Sequence, residues 1–112
     1  MFFSNLFNSK STIENVSAST LKQLLKQDSE LKVIDVRTSS EFKQGSLKNA
    51  VNIDVFGSDF IKKCENKFKS TDKLLLYCRS GQRSMNAAKK LESAGFSSIY
   101  NLKGGIIAWS RA

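Results

Sequence analysis

The sequence predicts an α/β protein in which helices cover both faces of a parallel sheet. Three observations carry this. Short β-branched or aliphatic runs alternate with segments of helical periodicity along the chain. One run, Leu74-Leu75-Leu76-Tyr77, is apolar at every position, as in a strand buried on both sides. The chain has 112 residues, enough for one domain that buries roughly 60–70% of its unfolded surface around a single core.

Taken in order, Ile13 to Val16 reads as a short edge strand. Ser17 caps a helix whose Leu21, Leu24 and Leu25 form an i, i+3, i+4 stripe, and Asp28-Ser29 ends it. Lys32-Val33-Ile34-Asp35-Val36 is a β-branched strand with Arg37 at its carboxyl end. Thr38 or Ser39 caps a short helix that Gly45 stops. Ala50 to Ile53 is a third strand, and Ser58 or Asp59 caps a helix carrying Phe60, Ile61, Cys64 and Phe68 on one face. After the apolar run, Ser84 is the expected N-cap of a helix that reaches about Ala94 and stops at Gly95. Ala87 and Ala88 are small enough to let that helix approach the sheet. Ser98 to Leu102 is the last strand, Gly104-Gly105 a turn, and Ile106 to Trp109 a closing helix expected to bury its tryptophan.

No repeat, low-complexity segment or linker divides this pattern, so one domain is expected over residues 13–112, after a stub of residues 1–12. In the stub, Phe2, Phe3, Leu6 and Phe7 would share one face of a helix. We expect it to dock on its own domain or remain disordered rather than to contact a membrane. Residues 1–10 lack the long apolar core of a signal peptide.

The chemistry concentrates in Cys78-Arg79-Ser80-Gly81-Gln82-Arg83-Ser84, directly after the apolar run. Cys78 then stands at a strand's carboxyl end, where open α/β sheets place their ligands. Gly81 is free to take positive φ and so to close a tight loop. A thiol in such a loop faces backbone N–H groups, a helix N-terminus and two guanidinium groups, each of which favours thiolate over thiol. The same donors can hold an anionic substrate. The competing reading of Cys78, a small core residue at a strand end, leaves the two neighbouring arginines without a reason. Cys64, on an apolar helical stripe, reads as structural.

The formal net charge is +8, from 18 basic and 10 acidic residues. The lysines are scattered and no aromatic platform accompanies them, so a solvated surface that attracts small anions fits better than nucleic-acid binding. The chain has no histidine, which excludes histidine general-base catalysis and histidine metal sites. Two separated cysteines cannot build a structural zinc site alone, and a reactive thiol fits the reducing cytoplasm. No metal or cofactor is expected.

The whole pattern resembles the single-domain rhodaneses, which are sulfurtransferases. The similarity runs from about Ile13 to Trp109. It rests on Ile34-Asp35-Val36-Arg37, Glu41-Phe42, Gly45 with Ala50-Val51-Asn52-Ile53, the Cys78 to Ser84 loop, and Gly104-Gly105 with Trp109. Each motif is weak, but their common order and spacing are specific. The chain departs from many relatives after Gly45, where Ser46-Leu47-Lys48-Asn49 replaces a histidine, an isoleucine and a later proline or glycine; we expect this to alter a surface turn.

The resemblance implies a five-stranded parallel sheet flanked by helices on both faces, and a persulfide carried on Cys78 between two half-reactions. Cys78 is the expected nucleophile. Arg79, Ser80, Gly81, Gln82, Arg83 and Ser84 are the expected substrate-binding residues. Arg37 is a secondary candidate, since Asp35 and Arg37 read first as a brace at the sheet edge. The expected partners are a small anionic sulfur donor such as thiosulfate and a thiol acceptor or sulfur-relay protein, with cyanide as acceptor in vitro. The chain is expected to be a monomer or weak dimer. A non-enzymatic persulfide carrier or interaction module is the alternative. Cysteine-dependent phosphatases use a similar strand, loop and helix, but their signature is Cys-x5-Arg. Here four residues separate Cys78 from Arg83, a tighter cradle suited to a sulfur atom, and no acid lies in the loop to protonate a leaving group.

Overall fold

The structure, a computed structural model, describes residues 11–112. The expectations about Phe2, Phe3, Leu6 and Phe7 lie outside the described residues. Strands and helices alternate as β1 (Ile13–Val16), α1 (Ala18–Gln27), β2 (Lys32–Asp35), α2 (Ser39–Lys43), β3 (Val51–Asn52), α3 (Phe60–Lys67), β4 (Leu74–Tyr77), α4 (Gln82–Ser93), β5 (Ile99–Leu102) and α5 (Gly105–Arg111). Every strand pair is parallel, in the order β1-β5-β4-β2-β3. A parallel connection needs a crossover, and α1 to α4 each supply one, while α5 follows the last strand.

β4 is the central strand and all four of its residues are buried. Alternate side chains feed two cores. Leu74, Leu76 and, just beyond the strand, Cys78 pack with Ile34, Val36, Phe60, Cys64, Ala87, Ala88 and Leu91 against α3 and α4. Leu75 and Tyr77 pack with Val33, Leu21 and Leu102 against α1, with Ile106 and Trp109 of α5 alongside. Each fully buried leucine contributes roughly 1.5–3 kcal/mol relative to exposure. Ala87 and Ala88 are wholly buried, so α4 lies close over the sheet and its N-terminus comes within reach of the end of β4.

Several local expectations change. Helix α4 starts three residues early, with Gly81 at the N-cap, so Ser84 is not the cap but the third residue of the helix. Asp59 does occupy the N-cap of α3, but at φ 61 its side chain makes no capping bond. Trp109 is half-buried rather than enclosed, its ring under the Lys22 ammonium 5.5 Å from the centroid. The stretch after Gly45 is more than a surface turn. Leu47 is only 3% exposed, and its N–H donates to the Tyr77 hydroxyl at 3.0 Å. Among the described residues, no helix is long and apolar enough to cross a membrane.

Candidate active site

β4 ends at Tyr77, and the chain must turn at once to enter α4. Gly81 makes the turn at φ 109, a conformation L side chains avoid; a Cβ there would also meet the Gly104 nitrogen at 3.4 Å. The turn folds the loop around the Cys78 sulfur, leaving the residue 1% exposed. Sγ accepts the Gly81 N–H at 3.1 Å, the Ser84 N–H at 3.4 Å and the Ser84 hydroxyl at 3.4 Å. Gly81 has no side chain with which to cap α4, and the sulfur takes that role by accepting the N–H groups of the first turn. A helix N-terminus carries partial positive charge, so the cap is better as thiolate than as thiol.

Two effects compete on the Cys78 thiol. Burial pushes its pKa up, but the Ser84 hydroxyl and N–H, with the Gly81 and Ser80 N–H groups, more than offset this and hold it below its ordinary 9.0. Hydrogen bonds, rather than the arginine charges expected from the sequence, make the main favourable contributions. Cys64 shows the contrast. It lies wholly buried on the inner face of α3 without such donors, and burial pushes its thiol up to about 11.

The other predicted residues separate into three groups. Ser80, Gly81 and Ser84 surround the sulfur. Arg79 and Gln82 are exposed on the outside of the loop, and Arg79 forms no ion pair among the described residues. Arg37 and Arg83 are each held by a carboxylate. The Arg83 guanidinium meets Glu41 of α2 with two parallel bonds, 2.8 and 2.9 Å long. Arg37 is 6% exposed; its Nη2 donates to Asp35 Oδ2 and to the Gly45 carbonyl, both at 2.6 Å. Asp35 also accepts the Tyr77 hydroxyl at 2.6 Å, which locks the carboxyl ends of β2 and β4 together. The brace read from Asp35 and Arg37 is thus present, and Arg37 does not offer a free charge to a ligand.

Sequence reasoning used Glu41 only as part of a motif and did not single out Asn101. Glu41 had a signal: Thr38-Ser39-Ser40-Glu41 fits a capping box, and Thr38 and Glu41 form one. Asn101 had none, because a polar residue in a buried strand gives no sign of what it faces. Its Nδ2 reaches the Gly81 carbonyl at 3.3 Å. On the far side of the loop, the N-terminus of α5 closes the site: the Ile106 N–H donates to the Cys78 carbonyl at 2.9 Å and the Ile107 N–H to that of Arg79 at 3.2 Å. A groove of about 420 Å³ runs beside this junction, lined by Arg37, Gln44, Gly45, Arg79, Ile106 and Arg111 among others.

The arrangement can hold a thiolate beneath N–H donors at the end of a central strand, with a basic rim outside. Residues 17–112 match the family described as the Rhodanese-like domain. The "Putative sulfurtransferase YtwF" of Bacillus subtilis is 38% identical over 97 residues, covering 87% of this chain and 90% of that protein. A protein named "Sulfurtransferase" from Allochromatium vinosum is 30% identical over 99 residues, covering 88% and 90%. Among solved structures, a rhodanese-like domain protein from Staphylococcus aureus superposes with a TM-score of 0.76 at 29% identity, covering 86% of this chain and 90% of that one.

Proposed function

The chain belongs to the rhodanese-like family, and from that premise we propose that it is a sulfurtransferase acting through a persulfide on Cys78. The observation that carries the proposal is the sulfur at the head of α4, accepting two backbone N–H groups and a hydroxyl. In the first half-reaction the Cys78 thiolate attacks the outer sulfur of thiosulfate. A Cys78 S–S bond forms, the donor's S–S bond breaks, and sulfite leaves with the electron pair. In the second, a nucleophile such as cyanide or a thiolate takes the outer sulfur and returns Cys78 as thiolate. Dividing one transfer into two displacements gives ping-pong kinetics.

Arg79, exposed beside the sulfur, is the loop cation left to attract the donor's oxyanion. Arg83 contributes through the loop's shape, since both of its terminal nitrogens are already paired with Glu41. The groove between the end of α2 and α5, with Arg79 and Arg111 at its edges, suits the approach of an anionic thiol acceptor. A second reading, transfer to a partner in a sulfur relay, is favoured by the exposure of Arg79, Ser80 and Gln82 together on the outer loop.

The test is intact mass after incubation with thiosulfate, then with cyanide. We expect a gain of one sulfur that cyanide removes and that Cys78→Ala abolishes. Thiocyanate production by Cys78→Ser at the native rate would overturn the mechanism. Slow loading from thiosulfate beside fast loading from a protein persulfide would select the relay reading.

A further inference from the structure

We propose that Asn101, in β5 and outside the loop, is a positioning residue that directs the Ser84 hydroxyl proton onto the Cys78 sulfur. The inference rests on Cys78 being the reacting group. It begins with the Gly81 carbonyl, which lies within reach of three donors: the Met85 N–H at 3.2 Å, the Ser84 hydroxyl at 3.2 Å and Asn101 Nδ2 at 3.3 Å. A carbonyl oxygen has two lone pairs. Ser84 has one hydroxyl proton and two acceptors to choose from, the Gly81 carbonyl and Cys78 Sγ at 3.4 Å. With Met85 and Asn101 filling both lone pairs of the carbonyl, that proton is released to the sulfur.

A second observation makes Asn101 more than a strand residue. It is 3% exposed, and its Oδ1 is buried with no donor. Such an orphan acceptor costs stability, and native structures keep few of them. Turning the amide over would not cure it, because Oδ1 would then face the Gly81 carbonyl oxygen. The amide is held instead with both Nδ2 protons in use, one on Gly81 and the other on Asn15 Oδ1 of β1 at 2.9 Å. An aliphatic residue would fill the strand without an orphan, so the cost is tied to the donor that faces the loop.

The experiment is a double-mutant cycle read on the thiol itself. Thiolate absorbance is followed against pH for the native chain, Asn101→Leu, Ser84→Ala and the double variant, each as the difference from its Cys78→Ala counterpart. Asn101→Leu is expected to raise the Cys78 pKa by about 0.5–1 unit, the size of one lost hydrogen bond. Ser84→Ala is expected to raise it at least as far, and adding Asn101→Leu to Ser84→Ala should then change little, because the two act through one proton. An unshifted pKa in Asn101→Leu, or two shifts that simply add, would overturn the proposal. If the leucine variant does not fold, Asn101→Val, which suits a buried parallel strand, is read by the same criteria. Sulfur loading is measured separately by mass, and its failure would count against the transferase function while the titration still decides the role of Asn101.

Discussion

Arg83 and Glu41 meet edge to edge across 42 residues of sequence, Nη1 on Oε1 and Nη2 on Oε2, and so tie the first turn of α4 to α2. Arg83→Lys keeps the charge but cannot make two parallel bonds. Because the pair is about a quarter exposed, we expect a loss of about 1 kcal/mol or less in urea unfolding at neutral pH. The pH dependence has a definite sign. Arg83 holds the Glu41 carboxyl down from its ordinary 4.5 to about 2. A depressed folded-state pKa means that the contribution is fully present above about pH 4.5 and is lost as pH falls toward 2. Glu41→Gln should therefore flatten part of the acid limb of the stability curve; an unchanged limb would contradict the pairing.

The brace at the sheet edge should be far more sensitive. Asp35 is wholly buried and takes Arg37 and the Tyr77 hydroxyl together. Asp35→Asn leaves the Arg37 cation buried without its counterion, at a cost of about 3–5 kcal/mol. Tyr77→Phe removes the hydroxyl that joins Asp35 to the Leu47 N–H, and should cost about 1–3 kcal/mol. Equilibrium unfolding of both variants checks this order; equal losses would mean that the charge carries no special weight.

Gly105 marks the closest approach of α5 to the loop. A Cβ there would lie 2.6 Å from the Cys78 carbonyl oxygen and nearer still to that of Arg79, at a φ of 61. Gly105→Ala should lift α5 off the loop and cost about 2–4 kcal/mol from overpacking and strain together. Sulfur loading by mass should slow with it. A native melting midpoint would show that the junction is not tight.

The two thiols should behave as different chemical species. In the folded protein, thiosulfate should add sulfur to Cys78 alone, at a rate that levels off below pH 9.0, because the loop lowers that thiol. Cys64, buried and raised to about 11, should remain unmodified until the chain unfolds. Peptide mapping after loading decides the matter, and sulfur on Cys64 under native conditions would refute it.

Much of the architecture could be read directly because the apolar positions that a sheet buries leave a plain pattern. Ile13–Val16 and Leu74–Tyr77 begin and end where their apolar residues do, and Ser17 caps α1 through its hydroxyl on the Thr20 N–H. Cys78 stood out because a thiol beside arginines after a buried strand is rare chemistry. The start of α4 was misplaced for a physical reason: a sulfur four residues upstream of the helix does the capping, and no rule of local sequence anticipates that. The partners of Arg83 and Asn101 were hidden because long-range contacts leave no local periodicity. Leu47 looked like turn material among Ser46, Lys48 and Asn49, yet the fold uses it as an anchor under Tyr77.

The sulfur at the head of α4 is held mostly by main-chain N–H groups, which every residue except proline possesses. Reactivity and recognition are therefore separable in this loop: Arg79, Ser80 and Gln82 point outward and can be exchanged without dismantling the thiolate cradle. On the proposed function, exchanging those rim residues would change which donor is recognised and leave the cradle of the reacting sulfur as it is.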